Sequence, residues 1–127
     1  MMYKQYLIVT ADAIKNMKGN RGRMINQGGH GWIHSMWDAM DRFPEAVKAY
    51  REQKSAFKIT LVVETAEELR ALYEVYKDKC GITLVEEKGS RQNGEVNEEV
   101  KGVTCLGIGP IHADHVGDDL NSLKPFL

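Results

Sequence analysis

A group of cationic and amide side chains lies near the start of the chain, among glycines. Lys18, Arg21 and Arg23 form the densest basic patch, and Gln27 and His30 follow at helical spacing. The start of a helix has unbonded N–H groups and a positive dipole end, so cations beside it favour an anionic ligand. The pattern indicates a phosphate-bearing ligand, and a solvated basic loop is the alternative interpretation.

A second polar stretch, residues 86–92, follows another apolar segment. In it, Glu87 supplies a carboxylate, Ser90 a hydroxyl group and Arg91 a further cation. Ligands of α/β sheets bind beside the carboxyl ends of parallel strands. If both apolar segments are such strands, we expect the two polar stretches to face one cleft.

Other kinds of site are less well supported by the residues. His30 and His34 have a spacing that can hold a metal ion, but the glutamate of the zinc-protease pattern and a third ligand are missing. We therefore expect no metal and no cofactor. Neither glycine-rich nucleotide fingerprint is present, which argues against a bound nucleoside triphosphate. For Gln27 and His30, a purely structural role in satisfying backbone groups is the alternative.

Strands and helices that alternate along the chain must position these residues. The apolar patterns predict strands at 3–10, 57–63, 82–85 and 103–109, and helices at 23–42, 44–53, 66–79 and 113–120. Thr65 and Glu68 form a capping box for the third of these helices. Residues 11–22 and 86–102 are predicted loops, and Pro110 is expected to end the last strand. The alternation predicts an α/β fold: one domain over residues 1–127, with a mixed four-stranded sheet flanked by helices. The last two strands are joined without a helix, so we expect them to be antiparallel.

Three glycines, Gly28, Gly29 and Gly31, interrupt the long predicted helix. Each costs about 1 kcal/mol relative to alanine inside a helix. Glycine is useful where another backbone comes very close. We infer that this helix lies tightly on the sheet, or that a ligand approaches it there.

Composition limits the classes of function. The chain has 127 residues, a formal net charge of -1 and 43% hydrophobic residues, which is typical of a globular domain and not of a globally basic nucleic-acid binder. No apolar run approaches the roughly 20 residues of a membrane span, and the first residues lack a secretory signal pattern. With two cysteines, no disulfide framework is indicated, and we expect a cytoplasmic protein.

Taken in order, these stretches resemble the archaeal and eukaryotic type of peptidyl-tRNA hydrolase, called type 2. The family has a strand, a basic glycine loop and a helix start that ends in glutamine, two small residues and histidine. Residues 22–30 have that pattern, and 67–69 and 108–110 match the family's glutamate-glutamate-leucine and isoleucine-glycine-proline motifs. The resemblance covers nearly the whole chain.

The resemblance implies hydrolysis of the ester bond that joins a peptide to tRNA, with tRNA as the partner and no membrane. The catalytic positions it implies are Arg23, Gln27, His30, Glu87 and Ser90. Lys18, Arg21, Arg23 and Arg91 are the implied tRNA-binding residues. The family commonly forms dimers, and tryptophan or methionine side chains exposed on the long helix would suit such a contact.

The chain departs from the family at expected catalytic positions. It has Arg23 in place of lysine, Glu87 in place of aspartate and Arg91 near a usual threonine, while Ser90 offers a hydroxyl group one position earlier. These departures motivate an alternative function, a non-catalytic module of the same fold that binds tRNA or a protein. A hydrolase of some other acyl ester or amide is a third alternative.

Overall fold

The centre of the fold is β1 (Tyr3–Thr10), a strand whose last six residues are all buried. The structure is a computed structural model that describes residues 2–87, 90–92, 95–97 and 102–127, with only the backbone described for 90–92 and 95–97. Because β1 is covered on both faces, its apolar residues run together without alternation, as the sequence predicts.

The remaining elements follow in chain order. The helices are α1 (Ala11–Asn16), α2 (Arg21–Arg42), α3 (Pro44–Glu52), α4 (Ala66–Tyr76) and α5 (Asp118–Asn121), with a 3-10 turn at Ala113–His115. The further strands are β2 (Lys58–Val63), β3 (Ile82–Glu87), β4 (Ser90–Gln92), β5 (Glu95–Asn97), β6 (Gly102–His112) and β7 (Lys124–Pro125). No helix of the described residues is long and apolar enough to cross a membrane.

The main sheet has the strand order β3-β6-β1-β2-β7. β1 and β2 are parallel, whereas β6 is antiparallel to both of its neighbours, β1 and β3. β1, β2 and β3 therefore point the same way, and their carboxyl ends meet at one edge of the sheet. The predicted mixed α/β sheet and the antiparallel pairing of β3 with β6 are confirmed.

The sheet has five strands, so the predicted count of four is wrong. The added strand, β7, pairs with β2 through only two residues and ends in Pro125. A strand this short has no readable alternation, and proline is a residue expected at sheet edges.

The prediction that Pro110 ends the last strand is also wrong, since β6 continues to His112. The pairing of β6 with β1 shifts in register between Lys4 and Tyr6, opposite Gly109 and Pro110. Such an irregularity accommodates a residue without an N–H group. The bond between Gly109 and Pro110 is cis.

The two predicted loops contain regular structure. Residues 11–16 form α1, capped by Thr10, whose Oγ1 accepts a hydrogen bond from Ala13 N at 3.1 Å. Within 86–102, Glu86 and Glu87 extend β3, and β4 pairs with β5 as a short antiparallel hairpin. Both stretches are polar and lack apolar periodicity, the signal on which their assignment as loops depended.

The sheet separates two apolar layers. Tyr6 and Ile8 of β1 pack towards α4, in the larger core cluster, and Leu7 and Val9 pack on the opposite face with Cys105. The predicted capping box begins α4: Thr65 Oγ1 accepts a hydrogen bond from Glu68 N at 3.4 Å.

The backbone of α2 lies directly on the sheet. A Cβ atom added to Gly107 of β6 would collide with the carbonyl oxygen of Gly31, and one added to Gly81 would collide with that of Ser35. Gly28 and Gly31 face Leu7, whereas Gly29 has open space around it. The inference that glycines in this helix permit a close approach is therefore confirmed for Gly28 and Gly31.

The distal part of α2 is held to the start of β3 by Asp38. Its carboxylate accepts a hydrogen bond from Ile82 N at 3.0 Å and one from Arg42 Nη2 at 2.6 Å. The hydrogen bond from Arg42 is the main cause of the lowered pKa of Asp38. The glycine contacts and this bond together determine where α2 lies along the sheet.

We expect Gly107→Ala to lower the free energy of unfolding by about 2 kcal/mol, because the new methyl group meets backbone that cannot yield easily. Gly29→Ala is the matched control: it adds the same methyl group in open space and should stabilise α2 by about 0.5–1 kcal/mol. Urea unfolding of both variants measures these changes. Equal effects of the two substitutions would contradict the close approach.

Candidate functional site

The start of α2 is defined by a tight turn and a cap. Lys18 and Gly19 have φ angles of 52° and 79°, which turn the chain between α1 and α2. Asn20 caps α2, with its Oδ1 accepting a hydrogen bond from Arg23 N at 3.0 Å. Arg23 therefore lies in the first turn of α2, and Gln27 lies one turn later, at the sheet edge where β1 and β3 end.

Glu87, the last residue of β3, joins the two polar stretches. Its Oε2 accepts hydrogen bonds from Arg23 Nε at 3.4 Å and from Gln27 Nε2 at 3.1 Å. The side chains of Arg23 and Glu87 are 20% and 14% exposed, so the pair is largely covered but still reachable from solvent. The sequence-based expectation that these two stretches face one cleft agrees with this geometry.

Thr104 of β6 completes the cluster, and sequence reasoning missed it. Its Oγ1 donates a hydrogen bond to Gln27 Oε1 at 2.8 Å. A carboxylate only accepts hydrogen bonds, so Gln27 must present its N–H group to Glu87 and its oxygen to Thr104. The sequence signal was a lone hydroxyl residue in an apolar strand; Thr104 is 4% exposed.

Cys105 lies beside the cluster but is not equipped to act as a nucleophile. Its Sγ is 3.5 Å from the backbone oxygen of Gln27, and the residue is 1% exposed. Burial raises the pKa of the Cys105 thiol to about 12. The thiolate is the reactive form of cysteine, so this thiol is inert at neutral pH.

His30 lies one turn beyond Gln27 and is exposed. Among the described residues it makes no hydrogen bond with Arg23, Gln27 or Glu87. Its ring centroid is 5.9 Å from that of His34, and both rings line a cleft of about 450 Å³ beside β3. No three His, Cys, Asp or Glu side chains of the described part of the chain are placed to hold a metal ion.

The other predicted site residues are only partly located. Lys18 and Arg21 are exposed at the approach to α2. Ser90 and Arg91 begin β4, and their side chains lie outside the part that the structure describes.

The cluster has the groups that hydrolysis of an ester needs. Arg23 uses its Nε for Glu87, which leaves the N–H donors of its two terminal nitrogens to face a negatively charged oxygen. Arginine stays protonated, so it stabilises charge and does not remove a proton. Glu87 is the group that can orient or deprotonate a water molecule, and both described donors approach only its Oε2.

A larger cleft, of about 690 Å³, lies at the other end of β6 and is lined by Tyr76, Lys79 and His115. It also has three aspartates, at 78, 114 and 119, which do not suit a phosphate ligand. The cluster around Glu87 is therefore the better candidate site.

Comparison with known proteins confirms the family resemblance noted in the sequence. The family model of peptidyl-tRNA hydrolase PTH2 matches residues 3–126, which is almost the entire sequence. The comparison with curated proteins gave no match. The family match covers every element from β1 to β7, including those that carry Arg23, Gln27, Glu87 and Thr104. The chain therefore belongs to the peptidyl-tRNA hydrolase PTH2 family.

Proposed function

We propose that this chain hydrolyses the ester bond of peptidyl-tRNA, releasing a peptide and free tRNA, and that the cluster around Glu87 does so. The observation that carries this proposal is the hydrogen bonding of Glu87 to Arg23, 64 residues away in sequence, and to Gln27. Family membership supports the reaction, and the geometry supports these residues as the site.

In the proposed mechanism, a water molecule binds at Glu87 Oε1 and attacks the ester carbonyl carbon as Glu87 takes its proton. The terminal N–H groups of Arg23 stabilise the negative oxygen of the tetrahedral intermediate. The intermediate then breaks its bond to the ribose oxygen, and Glu87 returns the proton to that oxygen. The tRNA leaves with its hydroxyl group restored, and the peptide leaves as a carboxylic acid that ionises by losing the second water proton to solvent.

The two departures from the family pattern are compatible with this chemistry. Glutamate is one methylene longer than aspartate, and Glu87 uses that reach to contact both Arg23 and Gln27. Arginine has a planar fork of donors, so Arg23 can bind Glu87 and still offer N–H groups to substrate, which the single ammonium group of lysine does less readily.

His30 and Ser90 have supporting roles in this proposal. His30 faces the cleft one turn from Gln27, from which it can position the ester or its water. Ser90 follows Glu87 by three residues and offers a hydroxyl group near the carboxyl end of β3. Because peptidyl-tRNA arises in translation, we place the activity in the cytoplasm.

Binding of tRNA by Lys18, Arg21, Arg23 and Arg91 forms part of the proposal. The first turn of α2 has Arg21 and Arg23 and no acidic residue. Cations at the positive end of a helix cost about 0.3–1 kcal/mol each, so such an arrangement is expected where an anion binds. The phosphates of tRNA meet that requirement.

A homodimer is also proposed, with the outer face of α2 as its contact. Ile25, Trp37 and Met40 are 72%, 51% and 55% exposed, and Ile33 lies between them on the same face. Large apolar side chains in one stripe are typical of an interface.

We expect Glu87→Gln and Arg23→Ala to lower kcat for N-acetyl-aminoacyl-tRNA by about 100-fold or more, because the first removes the base and the second the oxyanion donor. A partly exposed ion pair contributes at most about 1 kcal/mol, so the melting temperature should change little. Release of the acyl-amino acid from labelled tRNA measures the rate.

Glu74→Ala is the matched control, since it removes an exposed carboxylate on α4 whose described partner is Lys77. Its rate should equal that of the wild-type chain. If both site variants retained full activity, the proposed mechanism would be wrong. If the wild-type chain bound tRNA but released no peptide, the non-catalytic alternative would be correct.

We expect Arg21→Glu to raise KM, because it removes a cation that contacts a phosphate. The slope of log KM against log salt concentration should fall by roughly 0.7–0.9, the value for one lost phosphate contact. Lys48→Glu, in the helix that begins at the far end of α2, makes the same charge change and should leave the slope unaltered. A titration of KM between low and moderate salt measures both. An unchanged slope for Arg21→Glu would remove this residue from the tRNA-binding surface.

A further inference from the structure

The cleft beside β3 is adjacent to the candidate site. It is lined by His30 and His34 of α2 and by residues 83–86 of β3. Glu86 immediately precedes Glu87, and His30 lies one turn from Gln27. A substrate group bound at Glu87 therefore lies next to this cleft.

Along the cleft, β3 offers backbone groups that pair with no other strand of the described residues. It is the outermost strand of the main sheet, and within the described residues it pairs only with β6. Alternate residues of such a strand direct their N–H and C=O groups outward, where an added strand can bind them. The four cleft residues of β3 span about 10 Å at roughly 3.3 Å per residue.

The charges of the cleft differ from those at the start of α2. The described residues of its lining are two histidines, two apolar residues, one threonine and Glu86, and no lysine or arginine is among them. A nucleic-acid strand needs cations for its phosphates. Two of the cations proposed to bind tRNA, Arg21 and Arg23, lie at the start of α2 instead. The neutral to acidic cleft suits an uncharged backbone such as that of a peptide.

We infer that the cleft binds the peptide part of peptidyl-tRNA as an added strand along β3. This inference rests on the proposed function. The peptide is esterified through its C-terminal carboxyl group, so its last residue lies at Glu87. Its preceding residues then run back towards Ile82, which makes the peptide parallel to β3.

Recognition through backbone groups explains how one site would accept nascent peptides of any sequence. Main-chain hydrogen bonds supply the affinity of strand addition, and side-chain pockets supply its specificity. Thr83 and Val85 face α2, because they pair with Gly107 and Cys105, which lie under that helix. Side chains of the peptide on this face would contact the imidazoles of His30 and His34.

The test compares tRNAs esterified to N-acetylated peptides of one, two, three or four residues. We expect kcat/KM to rise by about tenfold from one residue to four, the effect of two added hydrogen bonds. N-methylation of each amide of the tetrapeptide in turn should lower kcat/KM at alternate positions only, because alternate amides face β3. This part of the test needs no protein variant.

Thr83→Arg narrows the cleft from the β3 side. It should abolish the rise of kcat/KM with peptide length, while kcat/KM for the one-residue substrate stays within twofold of that of the control variant. Val75→Arg is that control, because it adds the same charge at an exposed position of α4, away from the cleft and from the proposed dimer contact.

The outcomes separate the two proposals. Hydrolysis that is equally fast for all peptide lengths would overturn this inference and leave the proposed function standing. The inference would also be overturned if N-methylation lowered kcat/KM equally at every position, or if kcat/KM still rose with peptide length in Thr83→Arg. If Thr83→Arg changed KM for every substrate equally, the cleft would bind the RNA end instead. If no peptidyl-tRNA were hydrolysed, the proposed function would fail and this inference with it.

Discussion

The close approach of α2 to β6 is the constraint on which the candidate site depends. Gly31 and Gly107 lie so near each other that a shift of the helix or the strand would either open a gap or cause a collision. One turn back along α2 from this contact is Gln27, and three residues back along β6 is Thr104. Their 2.8 Å hydrogen bond is thus a consequence of how the two elements pack.

The same packing determines the orientation of the Glu87 carboxylate. Thr104 orients the amide of Gln27, the amide donates to Glu87 Oε2, and Arg23 donates to the same oxygen. Two donors at one oxygen hold the carboxylate in a fixed direction. In the proposed mechanism, a carboxylate held in this way receives a water at its other oxygen without reorganisation during the reaction.

The sequence predicted those features that depend on local patterns. The helical spacing after Arg23 gave α2, and the strand pattern gave β1 and β3, so the meeting of Arg23 with Glu87 followed from a rule about parallel strands. Thr104 could not be predicted, because its role depends on the register of β6 against β3. Helical spacing and the family motif both group His30 with Gln27, whereas the helix places His30 towards the neighbouring cleft.

The errors in the predicted fold have related causes. β7 has two residues and no periodicity, and β6 passes through Pro110 because an irregular pairing with β1 accommodates it. Both depend on partners distant in sequence. By contrast, the cations at the start of α2 can be recognised from the sequence. They oppose the preference of a helix N-terminus for acidic side chains, and such a local conflict indicates a function.

We propose that Thr104, Gln27 and Glu87 act as a unit to cleave the ester. The most direct measurement is kcat for N-acetyl-aminoacyl-tRNA in a double-variant cycle of Thr104→Val and Glu87→Gln. We expect Thr104→Val to lower kcat by about tenfold in the wild-type chain, the effect of one lost hydrogen bond, and to cause no further loss once Glu87 is replaced. The same tenfold loss in both backgrounds would contradict the claim, because Thr104 would then act independently of the carboxylate.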